Sequence, residues 1–580
     1  MKDHAKTSPT YSDRIDWDQF QRNCTRFALG AYIAFFASGS VRGQTTRPLQ
    51  HLWEVHPNLG EIWTPNTQVY STFIDLNDLL SDLPQVRLDA ARQICANADR
   101  PGFGDKRKAM ERLMTALKRS DEAILTRRTM ISAACFVDDG TYAQQIWDLS
   151  RDDSVANQEV QKALIRWKSK TAVEHWRSVV RTPSSPAFLV RLAVEGLGEC
   201  GTSEDLKTLT ELLESDSTSI DQRLLAASAL GKLQKTGLTS LARKYWESSL
   251  PERDIVTVAL LGHHADDDSL ALVRAVHEKG SSPAKRAAAK CLTEHSQKIA
   301  EEFATEWISD PDSHFRELAL QVASNGDSMK AIDVARIMLR DNEERLRRAA
   351  RLQLLELASG HRENIDALIE EELGGSDWRS IEQSIILIAE LRDSRLCEQL
   401  LDLLDHPQAE VHMHAAWALR DLSEFGPIVE RIYEKSVSLT DSLENETKQF
   451  GKSDTIMLSL LLETFGRHKY EPAYKMLTRY IPKNDFKMGN LTRASAIWSI
   501  GQIKKEVDDA ELRASLRERI KDLPPDRPEN YLVRFSCILA LGEFGFKDSQ
   551  EVVDQYSGSP PNPLGYAGNW AREQFKSSSK

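Results

Sequence analysis

The stretch "RLLAASALGKL" at residues 223 to 233 returns as "HMHAAWALRDL" from 412, "RASAIWSIGQI" from 493 and "RFSCILALGEF" from 534. The recurrence is of pattern rather than of letters: small residues at helical spacing, closed in three copies by a glycine eight residues after an arginine. Those pairs are Arg223 and Gly231, Arg493 and Gly501, Arg534 and Gly542. Self-similarity of this kind constrains a chain more than any single motif, because one supersecondary unit must then be repeated and stacked. Aligned on the small-residue helix, units start near 189, 222, 252, 283, 313, 344, 378, 410, 453, 490 and 529, with spacings of 30 to 34 residues lengthening to as much as 43. Looser copies begin near 85, 122 and 157, which makes roughly fourteen units.

From about residue 82 onward apolar residues recur at three- and four-residue spacing, and period-two alternation is hard to find, so the chain reads as all-α. Prolines such as Pro84, Pro186, Pro283 and Pro311 fall where turns are needed, and proline suits a first helical turn. Residues 378–406 illustrate one unit. A helix carrying Ile385, Ile386 and Ile388 is followed by a break at Asp393-Ser394 and a second helix carrying Leu396, Leu400, Leu401 and Leu404. Two antiparallel helices of this length leave apolar surface on both flanks, which only another copy can bury. The predicted fold is an α-solenoid of stacked antiparallel helix pairs. Alanine, serine and cysteine inside the recurring helix permit close approach, and the glycine is expected to end it in the left-handed conformation.

A second signal lies in the turns. Arg316 stands six residues after Asp310, Arg347 six after Asp341, and His412 six after His406. Aspartate at a helix start can cap free N–H groups, and Asp and Arg at these places are expected to bridge successive turns. The "DP" turn followed by "AAxALGxL" resembles HEAT repeats, and the short units are similar to the subclass named after phycobilisome lyases. The resemblance covers about 100–558 and is strongest over 189–423. It implies that the arginine-bearing second helix of each pair lines a concave face. Exposed positions on 223–233, 316–325, 345–357, 412–422, 493–503 and 534–544 would then meet a ligand. The candidate contact residues are Arg316, Arg345, Arg348, Arg351, His412, Trp417, Arg493, Trp498 and Arg534.

The organisation expected is a signal peptide over 1–43, an extended arm over 44–81 with Trp53 and Trp63, and divergent repeats over 82–188. Regular repeats follow over 189–437, then a polar loop over 438–455, longer repeats over 456–558, and a linker with a capping helix over 559–580 that carries Tyr566, Trp570 and Phe575. The signal rests on "FALGAYIAFFAS" at 27–38, preceded by Arg22 and Arg26 and followed by small residues before Gln44. So short an apolar run favours cleavage and export, periplasmic or secreted, over a permanent span. Asp3, Asp13, Asp16 and Asp18 in the leader argue for the alternative, a buried helix of a cytoplasmic protein.

A net charge of -12 weighs against broad attraction to nucleic acid or anionic lipid. The seven cysteines, at 24, 95, 135, 200, 291, 397 and 537, form no CxxC pair and match neither a zinc nor a disulfide framework. His263-His264 before Asp266, Asp267 and Asp268 sits at a turn and reads as a solvated end rather than a metal cluster. His406, His412 and His414 diverge around a helix. Deoxyhypusine hydroxylases need His-Glu pairs on equivalent helices, and only His277-Glu278 is present. Arg345, Arg348 and Arg351, three residues apart, are the nearest equivalent of a phosphate track in HEAT-like DNA glycosylases, but Glu343 and Glu344 adjoin them. Phosphate loops, serine-hydrolase elbows and metalloprotease helices find no motif here. The expectation is a monomeric, non-catalytic protein-binding scaffold with no cofactor, metal or catalytic residue and a protein partner of unstated identity. The alternatives are a lyase or chaperone-lyase acting on a cofactor-bearing protein, and nucleic-acid binding along a basic helix.

Overall fold

A helix rich in alanine, serine and glycine can lie closer to its neighbour than one studded with leucine, and the structure uses such helices as its spine. The computed structural model describes residues 76–98, 106–425, 427–447, 450–483, 488–505, 507–525, 527–556 and 563–577. The expected signal segment 1–43 and all of the 44–81 arm before residue 76 lie outside the described residues, as does the linker stretch 557–562. The described chain is all-α, with helices packed in consecutive pairs. It divides into a unit spanning Tyr70–Val334 and a unit containing Ala335–Lys580.

In the first unit the stacked row comprises Pro84–Asn97, Ile124–Val137, Ser154–Arg166, Ala187–Cys200, Ile220–Leu233, Arg253–Leu261, Ser282–His295 and Ser313–Ser324, each packed on the next. From Ile124–Val137 onward, the helix immediately before each row helix packs on it as its antiparallel partner. The core between the two layers is mostly apolar, with Ile94, Leu164, Leu213, Val273 and Leu292 fully enclosed. Starts are set by side-chain caps: Asp153 accepts from the N–H groups of Val155 and Ala156, and Asp312 from that of His314.

In the second unit the row is Glu344–Leu373 up to its bend, then Trp378–Glu390, Ala409–Leu422, Lys452–Arg467, Asn490–Ile503, Tyr531–Phe544 and Pro563–Ser577. The bend falls at His361, whose φ of -132° and ψ of 35° leave the helical region. The pairing differs in phase from the sequence reading of 378–406. Helix Trp378–Glu390 pairs with residues before it, and Cys397–Asp402 packs on the following Ala409–Leu422.

The recurring glycines also do something other than expected. Gly231, Gly501 and Gly542 lie inside their helices and end none of them. A Cβ on Gly231 would stand 2.6 Å from the Leu260 carbonyl oxygen, and one on Gly501 would stand 2.9 Å from Ala540 Cα. The glycine is where neighbouring row helices touch backbone to backbone. Left-handed closure falls three residues after Gly542, at Gly545 with a φ of 71°.

The polar loop is shorter than 438–455. Helix Val429–Glu444 runs into it and helix Lys452–Arg467 begins before it ends. Leu439 and Leu443, four residues apart, are buried, the Thr440 hydroxyl lies 2.8 Å from that of Tyr480, and Arg479 engages Asp441 and Glu444. Asp441 and Glu444 thus stand on the outward face of this helix. Near the end of the chain, Phe575 is buried, and Lys576 and Ser577 remain helical rather than trailing off.

Candidate functional site

The repeat arginines are spent inside the fold. Arg316 Nη1 donates to the Asp310 carbonyl at 2.7 Å, Arg347 Nη1 to that of Asp341 at 2.9 Å, and His412 Nδ1 lies 3.1 Å from that of His406. A carbonyl can only accept, so Nδ1 of His412 carries the proton. In the same three turns the first residue's side chain takes the N–H two residues on: Asp310 from Asp312, Asp341 from Glu343, His406 from Gln408. The motif is a turn clasp, made by backbone carbonyls as much as by carboxylates. Bridging between successive repeats is made by neighbouring arginines. Arg87 pairs with Glu122, Arg223 with Glu252, Arg286 with Asp312, and Arg493 with Glu529.

Four of the candidate contact residues are therefore withdrawn from the surface. Arg493 is buried against Glu529 and also donates to the carbonyls of Tyr480 and Ile481. Arg351 is buried, donating to Gln383 Oε1 at 2.5 Å and to Glu390 Oε2 at 3.1 Å. Three-residue steps on an α-helix each fall about 60° short of a full turn, so Arg351 has rotated off the face that Arg345 and Arg348 share. His412 is buried by its clasp. Trp498 is buried because its indole fills the space left by Gly466, where a Cβ would come within 2.6 Å of the ring. Arg316 is half-buried in its own clasp. Arg534 is half-buried, with its guanidinium 5.7 Å from the Tyr531 ring centre.

What stays accessible lies on three successive row helices of the second unit. Arg345 and Arg348 are exposed on the first, Glu390 is half-buried on the second beside the buried Glu382, and Glu410, His414 and Trp417 are half-buried on the third. His414 Nδ1 lies 2.8 Å from the Glu410 carbonyl and 3.5 Å from Glu382 Oε1, and its ring meets Trp417 edge to face at 6.4 Å. Burial pushes the Glu390 carboxyl above its ordinary range against the pull of Arg351. The face mixes both signs of charge with one half-buried indole.

A second polar centre is enclosed. Glu463 accepts from Arg420 at 3.0 Å and from the Ser495 hydroxyl at 3.3 Å, joining three consecutive row helices, and burial pushes its carboxyl up to about 7. Sequence reasoning passed over Glu463, Glu382 and Glu390. A signal existed for the first: Glu463 is the one charged residue in the run from Ile456 to Gly466.

The histidine candidates have packing roles. His264 is fully buried with Nε2 2.9 Å from the Gln234 carbonyl, and His277 accepts from Trp307 Nε1 at 3.3 Å among Phe303 and Phe315. Among the described residues no group of three or more His, Cys, Asp or Glu is placed to hold a metal ion, and no helix is long and apolar enough to cross a membrane. The cysteines described are unpaired, and burial raises the Cys291 thiol to about 12.

No protein-family model matches the chain, and no curated protein does. Solved structures similar to it include karyopherins. Kap95 in its complex with Nup1 matches with a TM-score of 0.42 at 13% identity, over 97% of this chain and 80% of that one. Yeast importin-beta, Kap95p, gives 0.39 at 12% identity over 95% of this chain and 79% of that one. Kap121p bound to Pho4p gives 0.46 at 12% identity over 88% and 57% respectively. A likeness of that degree assigns this chain neither a partner nor an activity.

Proposed function

We propose that the protein is a non-catalytic scaffold that binds another protein through the face carrying Arg345, Arg348, Glu410, His414 and Trp417. The observation that carries this reading is the half-buried Trp417 set among charged groups of both signs on adjoining repeats. Interfaces concentrate binding energy in such aromatic and arginine anchors, with a polar surround that excludes water. A stacked array adds modest contacts from several units to a few strong ones. The nucleic-acid reading loses its basic track, since Arg351 is buried and Glu344 and Glu410 border what remains. No residue of this face speaks for lyase chemistry.

Export is part of the proposal and rests on the sequence alone, the apolar run at 27–38 with Arg22 and Arg26 before it and small residues before Gln44. One isolation tests both parts. The protein, tagged after Lys580, is recovered from its own cells through a moderate-salt wash. The account expects one stoichiometric protein partner and a mature chain beginning near Gln44. A bound chromophore or nucleic acid without a protein partner overturns the scaffold, and an intact leader overturns export.

A further inference from the structure

Copies of the recurring helix share a sequence pattern but differ in how much of their surface meets solvent. In Ile220–Leu233 the positions Leu224, Leu225 and Lys232 are half-buried. They lie on the side left open by the three elements this helix packs on, Ala187–Cys200 and Arg253–Leu261 in the row and Leu206–Glu214 behind it. The same positions are Ala494, Ser495 and Gln502 in the 493 copy and Phe535, Ser536 and Glu543 in the 534 copy, and all six are buried. Burial is unbroken over 456–466, 492–503 and 535–544, runs long enough to take in every side of three consecutive row helices.

Neighbours among the described residues do not account for this. Asn490–Ile503 packs on Lys452–Arg467 and Tyr531–Phe544 in the row and on Tyr474–Leu477 and Thr478–Tyr480 behind it, the same three directions as Ile220–Leu233. The sequence points the same way. Asn490–Ile503 carries a single charged side chain, Arg493, which is spent on Glu529, and a helix without a charged stripe is built to be covered on all sides. The face is three helices wide and about four turns long. Outside the described residues only 1–75 is long enough to cover it, because the other such stretches run to seven residues at most. Within 1–75, residues 44–75 carry Leu49, Leu52, Trp53, Ile62 and Trp63 and only four charges, at Arg47, Glu54, Glu61 and Asp75. Pro48, Pro57 and Pro65 disfavour a helix through them, which leaves backbone N–H and C=O groups to meet Ser495, Gln502 and Ser536. We propose that residues 44–75 lie across the 453, 493 and 534 copies as a built-in occupant of this face. The choice of 44–75 over 1–43 rests on the export reading, under which 1–43 is removed. His414 and Asp421 hold two of the corresponding places in the 412 copy and are half-buried beside Trp417. The covered face and the partner face are thus continuous, and the arm confines the partner to repeats before Lys452–Arg467.

The test uses the full chain with the photo-cross-linker p-benzoylphenylalanine in place of Gln502, or in place of Lys232 as its open counterpart, irradiated and mapped by mass spectrometry. The expected result is an intramolecular cross-link from position 502 into 44–75, at least five-fold more abundant than any from position 232. Adding Trp53→Ala and Trp63→Ala should lower it at least five-fold. The melting temperature shows whether position 502 tolerates the probe, and Glu543 takes it if not. Equal cross-linking from the open counterpart, or no loss in the tryptophan variant, overturns the proposal. So do cross-links into 1–43, which give the face to the leader, cross-links between molecules, which give it to a second copy, and cross-links confined to the helices described above. The N-terminus of the native protein is read separately. A retained leader with cross-links in 44–75 sinks export alone, and a chain beginning near Gln44 without them sinks this proposal alone.

Discussion

Arg493 and Glu529, one repeat apart, meet in a two-pronged ion pair, Nη1 to Oε1 at 2.9 Å and Nη2 to Oε2 at 2.8 Å, with both side chains out of contact with solvent. Nε also donates to the Tyr480 carbonyl at 3.1 Å and Nη2 to that of Ile481 at 3.0 Å. A buried charge pair contributes little beyond what desolvation costs, yet removing one partner strands the other. Arg493→Ala is predicted to destabilise the 335–580 unit by about 3 to 5 kcal/mol. Arg493→Lys should recover only part of this, because an ammonium cannot match the fork. Urea unfolding followed by circular dichroism measures both.

The glycine reading makes predictions of opposite sign. Gly501→Ala forces a Cβ to 2.9 Å from Ala540 Cα and Cβ and should cost about 1 to 3 kcal/mol by overpacking. Gly360→Ala, with nothing within 4 Å, should be neutral or stabilising by up to about 1 kcal/mol through helix propensity. Hydrogen exchange should show the first as lost protection in helices Asn490–Ile503 and Tyr531–Phe544. If the glycine were only a helix terminator, neighbouring helices would be untouched.

Glu463 predicts a pH dependence. Its carboxyl moves from an ordinary 4.5 to about 7 on folding, because burial disfavours the charge more than Arg420 restores it. Between those values the folded chain holds a proton that the unfolded chain has released, so stability falls as pH rises through that window. In Glu463→Gln this contribution is absent. The melting temperature of the wild type relative to the variant should therefore drop between about pH 4.5 and about pH 7; a difference constant with pH would contradict the assignment.

The two tryptophans of the recurring helix should separate in solution. Trp417 is half-buried and Trp498 is 2% exposed. Replacing Trp417 with phenylalanine should lower the iodide-quenchable share of the indole emission, whereas Trp498→Phe should leave that share unreduced.

How much of this was legible beforehand follows from what a repeat encodes. The pattern predicts small-residue helices with starts near 313, 344, 378 and 490, and the structure has helices from Ser313, Glu344, Trp378 and Asn490. Periodicity and composition define such a helix locally. The role of Gly501 was not legible, because whether a glycine ends a helix or admits a neighbour depends on Ala540, far along the chain. Arg351 looked exposed for a related reason: spacing gives a face, but Gln383 and Glu390 on the next repeat decide that this face is covered. Glu382 and His414 came together only through stacking, so no run of adjacent residues announces the Trp417 face.

The central claim is that this face, and not the buried arginines, holds a protein partner. The most direct measurement is quantitative recovery of the co-purifying protein from native cells, with wild type beside the Arg345→Glu, Arg348→Glu, Trp417→Ala triple variant. The variant's melting temperature should match the wild type. The account predicts a partner recovered in stoichiometric amount with wild type and at least ten-fold depleted with the variant, the effect expected when an anchor worth about 2 kcal/mol is lost. Equal recovery from a folded variant would contradict it and move the partner to another surface.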